Sequence, residues 1–309
     1  MRHAPVHAGL TVLALLALSA CSDDGAPDSE ATIASGDPAA CPGEVLDVVV
    51  SVAAWSDVVR RLGGDCATVT TIGSSPADAP DDVVAADRAA FAAAELVVVN
   101  GARYDQWAVE AARDAGDPVV LSAAEVAGSA AGRPDPQLWY EPAVVPEVAS
   151  AVARELAHLS PDAAPYFDAQ HTAFTAELQP YVVAVDGLRE VADGRTSAAT
   201  LTAYGPMIRA LGLAEETPRG FLRSLRSGAD PAPEDVDAFE ATLREGSVDV
   251  LIQDRAAEGD VRDRLRDAAE DAGVPVVEVT EFPPEEDAAF VEWQLAQLAA
   301  LSEALAGDA

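Results

Sequence analysis

Short hydrophobic runs of β type alternate with helical patterns along the first part of the chain. The runs lie at 45–51, 67–72, 95–100 and 118–121, and the helical patterns lie near 54–63, 83–94 and 104–115. After residue 195 the alternation returns, with strands in "TSAATLT", "VDVLIQ" and "VPVVEVT" and helices near 204–212, 233–245, 258–272 and up to about Ala306. Because such alternation is typical of parallel sheets covered on both faces, it predicts an α/β protein with two doubly wound lobes.

A long helical pattern lies between the two predicted lobes. It begins at Ser160-Pro161-Asp162, where serine is a good N-cap and proline suits the first helical position. Residues spaced alternately by four and three positions then form one seam: Phe167, His171, Phe174, Leu178, Tyr181, Val185 and Leu188. The seam predicts one spine helix at 160–193, which Pro180 kinks without breaking, between an N-terminal lobe at 42–159 and a C-terminal lobe at 194–309.

The N-terminus has the features of an export signal. After Arg2, an apolar run from about Val6 to Leu18 is too short to cross a bilayer and ends in Leu-Ser-Ala-Cys21. We predict a lipoprotein signal peptide at 1–20 and acylation of Cys21; the alternative is an ordinary signal peptide followed by an unrelated cysteine. Residues 21–41 are small and acidic, which predicts a flexible tether. The protein is therefore expected outside the cytoplasm, anchored to the cell membrane.

The charge balance is strongly acidic and excludes one class of partner. The chain has 53 acidic and 19 basic residues, for a formal net charge of −34. Because phosphate backbones repel such a surface, nucleic acid is not expected as a partner. A solvated acidic surface is sufficient to explain this charge.

Two further cysteines, Cys41 and Cys66, would face an oxidising compartment after export. Each lies just before a β-type run, so neighbouring strands in one sheet would bring them together. We therefore predict a disulfide between them.

Signatures of catalysis are scarce. The chain has no nucleophile elbow, no glycine-rich phosphate loop after a strand and no cysteine with a nearby histidine. Beyond the signal peptide the histidines are His158 and His171, which fall on helical patterns and suit structural or surface positions. The sequence therefore does not predict an enzyme.

Several stretches resemble the solute-binding lipoproteins of zinc- and manganese-type ABC importers, in which two α/β lobes are joined by one long helix. The resemblance covers nearly the whole mature chain and rests on "VVVSVAAWSDVVRRLGGDCATVTTI", "ADRAAFAAAELVVVNGARYDQWA", "LWYEPAVVPEVASAV", "YGPMIRALGL" with "TPRGF", "DPAPEDVDAFEATL" and "AGVPVVEVTEFPP" with "WQLAQL". It implies solute capture for an importer whose permease and ATPase are the partners.

The resemblance also implies four metal-ligand positions between the lobes. The two places where the family has histidine are Ala79 and Gln137 here, the third position is Thr202, and the fourth keeps a carboxylate, Asp254. Zinc prefers imidazole, thiolate and carboxylate, so zinc or manganese is expected to bind weakly or not at all, with Asp254 as the remaining ligand. The implied cleft is lined by Ala79, Gln137, Trp139, Tyr140, Thr202 and Asp254.

Alternatives stay open for the site and for the function. Acidic residues near the matched positions, Asp78, Asp81, Asp82 and Glu141, could rebuild an all-oxygen site for manganese, calcium or magnesium, or could simply be solvated loop acids. The alternative function is that of a degenerate family member that binds another solute or acts as an accessory or interaction lipoprotein. An enzyme on a two-lobed scaffold is the third hypothesis, without a visible acid, base and nucleophile set.

Overall fold

The structure is a computed structural model, and it describes residues 32–34, 36, 40–73, 85–116, 118–128, 136–285 and 288–307. Within this part of the chain, two α/β lobes with largely parallel sheets are joined by one long helix. The predicted fold class is therefore confirmed. The described residues contain no helix with the length and hydrophobicity needed to cross a bilayer.

The N-terminal lobe is built on a five-stranded sheet with the order β1-β3-β2-β4-β5. Four strands are parallel, and their hydrophobic runs are buried on both faces at the centre of the sheet because helices cover both sides. The strands are β1 (Thr32–Ala34), β2 (Leu46–Val50), β3 (Ala67–Thr71), β4 (Leu96–Val99) and β5 (Val119–Ser122). The helices are α1 (Ala53–Gly63), α2 (Ala85–Ala93), α3 (Gln106–Ala115), α4 (Ala123–Val126) and α5 (Val144–Leu159).

Strand β1 lies inside the segment for which the sequence predicted a flexible tether. It pairs antiparallel with β3, with Thr32 opposite Thr71 and Ala34 opposite Val69. The tether prediction was therefore wrong for residues 32–34. β-branched residues favour the extended backbone, and this strand covers an edge of β3 that would otherwise leave backbone groups unpaired.

A disulfide joins Cys41 to Cys66, with the two Cα atoms 4.9 Å apart. Cys41 precedes β2, and Cys66 ends the 3₁₀ turn Gly64–Cys66 that leads directly into β3. The bond therefore joins the starts of two neighbouring parallel strands.

The long helix α6 (Ala164–Ala192) follows the 3₁₀ turn Pro161–Ala163 and contains Pro180 in its interior. Its buried face is the predicted seam except at His171, which is only half-buried. This face packs against α5 and α1 of the first lobe and against α11, the last helix of the second lobe. Helix α6 is therefore part of the core and not a free connector.

The C-terminal lobe has a four-stranded parallel sheet with the order β7-β6-β8-β9. The strands are β6 (Thr196–Ala199), β7 (Ala214–Glu215), β8 (Val250–Asp254) and β9 (Val276–Val279). The helices are α7 (Gly205–Leu211), α8 (Arg219–Ser227), α9 (Pro233–Arg244), α10 (Asp260–Asp271) and α11 (Phe290–Ala306). Helix α8 was not predicted, although Phe221 and Leu222 are buried and Phe221 packs in the core of this lobe.

One hydrophobic cluster extends through both lobes. It includes Val48 of β2, Tyr181 of α6, Ile252 of β8 and Phe290 of α11. At the junction of the lobes, the loops after β4 and β9 come into contact with the 3₁₀ turn Leu138–Tyr140. These loops follow the carboxyl ends of parallel strands, where α/β sheets present their binding residues.

Candidate functional site

A carboxylate of the C-terminal lobe, Glu281, is held by side chains of the N-terminal lobe. The Tyr104 hydroxyl and Gln137 Nε2 each donate a hydrogen bond of 3.0 Å to Glu281 Oε1. Trp139 Nε1 donates to the backbone oxygen of the same residue, also at 3.0 Å. Three donors from two N-terminal loops therefore converge on one residue just after β9.

The electrostatics of Glu281 are those of a desolvated acid, and no cationic side chain among the described residues offsets its charge. Burial raises the pKa of the Glu281 carboxyl, the hydrogen bonds from Gln137 and Tyr104 lower it, and the charge of Asp254 raises it again; the net pKa is raised. Burial and the neighbouring Glu281 charge also raise the pKa of the Tyr104 hydroxyl well above its usual value. Tyr104 therefore remains a neutral donor, and the negative charge of Asp254 and Glu281 favours a cation.

The orientation of Gln137 leaves an oxygen without a partner. Gln137 is 7% exposed. An ionised carboxylate only accepts hydrogen bonds, so the amide nitrogen of Gln137 must face Glu281 and its carbonyl oxygen must point away. That oxygen, Oε1, is buried and has no hydrogen-bond partner among the described residues. Gln137 can therefore offer a neutral oxygen ligand beside the carboxylate.

Trp139 and Tyr140, predicted to line the cleft, are fully buried behind the site. The Trp139 ring contacts Tyr104 edge-on, with centroids 5.4 Å apart, and Phe282 at 5.7 Å. The Tyr140 hydroxyl contacts the backbone oxygen of Thr280 and lies 3.1 Å from Gln297 Oε1. These two residues seal the junction of the lobes and expose no surface to a ligand.

The other predicted positions lie at the carboxyl ends of C-terminal strands or outside the described residues. Asp254 ends β8, is half-buried, and accepts a hydrogen bond of 2.9 Å from the backbone N–H of Ala256. Thr202 is half-buried in the turn before α7. The segment that carries Ala79, together with Asp78, Asp81 and Asp82, is outside the described residues.

Within the described ranges, no group of three or more histidine, cysteine or acidic side chains is arranged to hold a metal ion. His158 is exposed on α5 and His171 is half-buried on α6. Asp254 and Glu281 are the carboxylates whose charges interact at the junction. The described part of the site therefore offers oxygen atoms and no imidazole.

Sequence reasoning missed Glu281 and Tyr104. Glu281 follows β9 by two residues, so the rule that drew attention to Thr202 and Asp254, the end of a parallel strand, would also have found it. Tyr104 carries no such signal, because its partner is 177 residues away in the sequence.

Comparison with known proteins gives one family and a set of similar folds. A family model described as zinc-uptake complex component A, periplasmic, matches residues 48–304. The periplasmic zinc-binding protein TroA of Treponema pallidum is similar with a TM-score of 0.67 and 17% identity, over 84% of this chain and 99% of that chain. A search of curated proteins found no match.

Two other solved structures have the same fold. The solute-binding protein FpvC of Pseudomonas aeruginosa, in complex with Mn²⁺, is similar with a TM-score of 0.69 and 17% identity, over 86% of this chain and 100% of that chain. The laminin-binding protein Lmb of Streptococcus agalactiae, described as bifunctional with adhesin and metal-transporting activity, has a TM-score of 0.67 and 21% identity, over 84% of this chain and 99% of that one. At these identities the likeness concerns the fold alone.

Proposed function

Because this chain belongs to the family of the periplasmic component A of zinc-uptake complexes, we propose that it is a lipid-anchored solute-binding protein of a metal-type ABC importer. The family resemblance read from the sequence is thereby confirmed, and the protein is a transport component and not an enzyme. The lipid anchor on Cys21 is supported by the sequence alone, and the importer's permease and ATPase are the proposed partners.

The observation that carries this proposal is the convergence of both lobes on Glu281. Donors on two N-terminal loops meet a C-terminal carboxylate, and Asp254 adds a second negative charge near it. A site that closes between two lobes around negative charge, with no described cationic side chain beside it, is suited to a cation. The proposed cargo is therefore a divalent metal ion.

The described ligands favour a hard ion over zinc. Gln137 Oε1, Asp254, Glu281 and Thr202 can provide only oxygen, whereas zinc prefers imidazole and thiolate ligands. Manganese, calcium and magnesium accept oxygen ligands readily. We propose that this chain binds zinc weakly and prefers a hard divalent ion.

A second candidate is a degenerate family member that binds another solute or acts as an interaction lipoprotein. It is favoured by the hydrogen bonds that already occupy Glu281 Oε1 and by Gln137 at a position where the family resemblance implies histidine. In this case the lobes would stay closed without any ion.

Metal analysis and calorimetry of the purified mature protein distinguish these candidates. We expect Mn²⁺ or Ca²⁺ to raise the melting temperature, because a ligand that binds only the folded state stabilises it by mass action, and we expect zinc to bind more weakly. Glu281→Gln should abolish this effect, while the control His158→Gln on the exposed side of α5 should not change it. Submicromolar zinc binding would overturn the proposed ion preference, and no response to any divalent ion would favour the second candidate.

A further inference from the structure

The loop after β4 has a backbone conformation that residues with a side chain rarely adopt. Gly101, Ala102 and Arg103 have φ angles of 79°, 53° and 65°. Glycine adopts positive φ freely, but alanine and arginine do not. Ala102 and Arg103 are the non-glycine residues with positive φ in the described part of the chain, and they directly precede Tyr104. Such strain persists only where the surrounding contacts hold it in place.

The buried carboxylate of Asp105 holds this loop. Asp105 is 1% exposed. It accepts hydrogen bonds from the backbone N–H groups of Asn100 at 2.6 Å and Gly101 at 2.8 Å, and from the Ser51 hydroxyl at 2.5 Å. Burial raises the pKa of the Asp105 carboxyl, and the hydrogen bonds only partly offset this effect. Burying an acid among neutral donors costs free energy. We infer that the ordered loop, which these hydrogen bonds hold in place, offsets this cost.

The fixed loop positions both donors to Glu281. The backbone N–H of Tyr104 closes the turn on the Gly101 oxygen at 3.0 Å. Asn100 Nδ2 donates at 2.8 Å to the backbone oxygen of Pro136, the residue before Gln137. The loop held by Asp105 therefore sets the positions of the Tyr104 hydroxyl and of the chain that carries Gln137.

We propose that Asp105 is a positioning residue that holds the Tyr104 hydroxyl on Glu281, and that Tyr104 thereby limits the cation affinity of the site. The cation part of this inference rests on the proposed function. Glu281 Oε1 receives hydrogen bonds from both Tyr104 and Gln137, so its lone pairs are occupied and a cation must displace a donor or bind the other oxygen. Tyr104 competes with the cation and does not assist it.

Tyr104→Phe tests this competition, because phenylalanine keeps the ring against Trp139 and removes only the hydroxyl. We expect the Kd for Mn²⁺ measured by calorimetry to fall about tenfold, as removal of one competing hydrogen bond to a charged group would produce. A purely structural role for the hydroxyl predicts the opposite, weaker binding. The matched control is Tyr166→Phe, because the Tyr166 hydroxyl accepts hydrogen bonds from the backbone N–H of Asp65 and from Gln170 Nε2, away from the site.

Asp105→Asn tests the positioning role. We expect the same tighter binding of Mn²⁺, but a combined effect smaller than the sum when Asp105→Asn is added to Tyr104→Phe, because Asp105 acts on Glu281 mainly through Tyr104 and only secondarily, by way of Asn100, through the chain that carries Gln137. If Asp105→Asn does not fold, Ser51→Ala removes one hydrogen bond to the carboxylate and should shift the Kd in the same direction. Additive effects in the double variant, or weaker Mn²⁺ binding in Tyr104→Phe, would overturn the proposal.

Hydrogen exchange separates failure of this inference from failure of the proposed function. We expect faster exchange in peptides covering Thr280–Phe282 in both Tyr104→Phe and Asp105→Asn, whether or not an ion binds. Unchanged exchange in both variants would disprove the positioning role. If none of the proteins binds Mn²⁺, Ca²⁺ or Zn²⁺, the claim that Tyr104 limits cation affinity is disproved together with the proposed function. The exchange data then still decide whether Asp105 positions Tyr104 on Glu281.

Discussion

The indole nitrogen of Trp139 donates a hydrogen bond to the backbone oxygen of Glu281, and this 3.0 Å contact joins the two lobes. It fixes the backbone of Glu281, while Tyr104 and Gln137 fix its carboxylate. The loop after β9 is thus held at both its main chain and its side chain. A ligand that needs Glu281 must therefore work against contacts that exist without it.

Trp139→Phe should lower the free energy of unfolding by about 2 to 3 kcal/mol. The variant leaves the Glu281 carbonyl without its donor and removes part of a fully buried ring. Urea unfolding is the measurement. Trp107→Phe, in the separate cluster of the N-terminal lobe against Phe91, is a control that leaves the junction intact. A loss of stability no larger than in the control would show that the contact does not stabilise the junction.

Gln137→His should raise the affinity for zinc. The substitution replaces a neutral oxygen beside Glu281 with an imidazole, a ligand that zinc prefers. Adding Ala79→His and Thr202→Glu should strengthen zinc binding further. Calorimetry with Zn²⁺ on the parent and the variants is the measurement, with His158→Gln as control. Equal zinc affinity in all of these proteins would mean that the four positions do not form one site.

Glu281→Gln should make the protein more stable near neutral pH, by an amount that grows with pH. The raised pKa of the Glu281 carboxyl means that the folded state favours its protonated form. Its contribution to stability is therefore most favourable below the unfolded pKa of about 4.3 and is lost as pH rises through the folded pKa. Urea unfolding between about pH 5 and 8 measures the difference from the parent, with the exposed Glu285→Gln as control. A pH-independent difference would contradict the expectation.

Removal of the Cys41–Cys66 bond should lower the free energy of unfolding by about 3 kcal/mol. The bond closes a loop with a sequence separation of 25 residues, and opening it gives the unfolded chain more freedom. A Cys41→Ser/Cys66→Ala variant and the reduced parent should unfold at similar urea concentrations. A reducing agent should leave the variant unchanged. Two free thiols in the unreduced, unfolded parent would disprove the bond.

The sequence predicted those elements in which the pattern of hydrophobic residues within the element itself reflects how it is buried. Strand β4 reads Leu-Val-Val-Val because both of its faces are covered, and the seam of α6 recurs because one side of that helix is in the core. Strand β1 was missed because three residues are too few to show a repeating pattern of hydrophobic positions. The strand is held by its pairing with the edge of β3, which the local sequence does not reveal. Helix α8 was missed because it is only nine residues long and most of its residues are polar, although Phe221 and Leu222 are buried.

The site could be predicted less well than the fold. The position of Gln137 before the Leu-Trp-Tyr turn was found, but the partner of its amide was not. In a chain with 53 acidic residues, a single glutamate after a strand does not stand out. The pairing of Tyr104 with Glu281 depends on how the two lobes pack, and no local pattern encodes that.

The last helix, α11, completes the hydrophobic core of the first lobe. The Phe290 ring stacks on Trp55 of α1, with centroids 6.4 Å apart, and its backbone N–H donates to Asp57, 233 residues earlier. The chain is synthesised from its N-terminus, so the surfaces of α1 and α6 that pack against α11 stay exposed until α11 has been synthesised. The nascent N-terminal lobe therefore presents an uncovered apolar face for most of the time needed to make the protein. A chaperone that binds exposed apolar surfaces of new chains would therefore need to remain on this face until α11 packs against it.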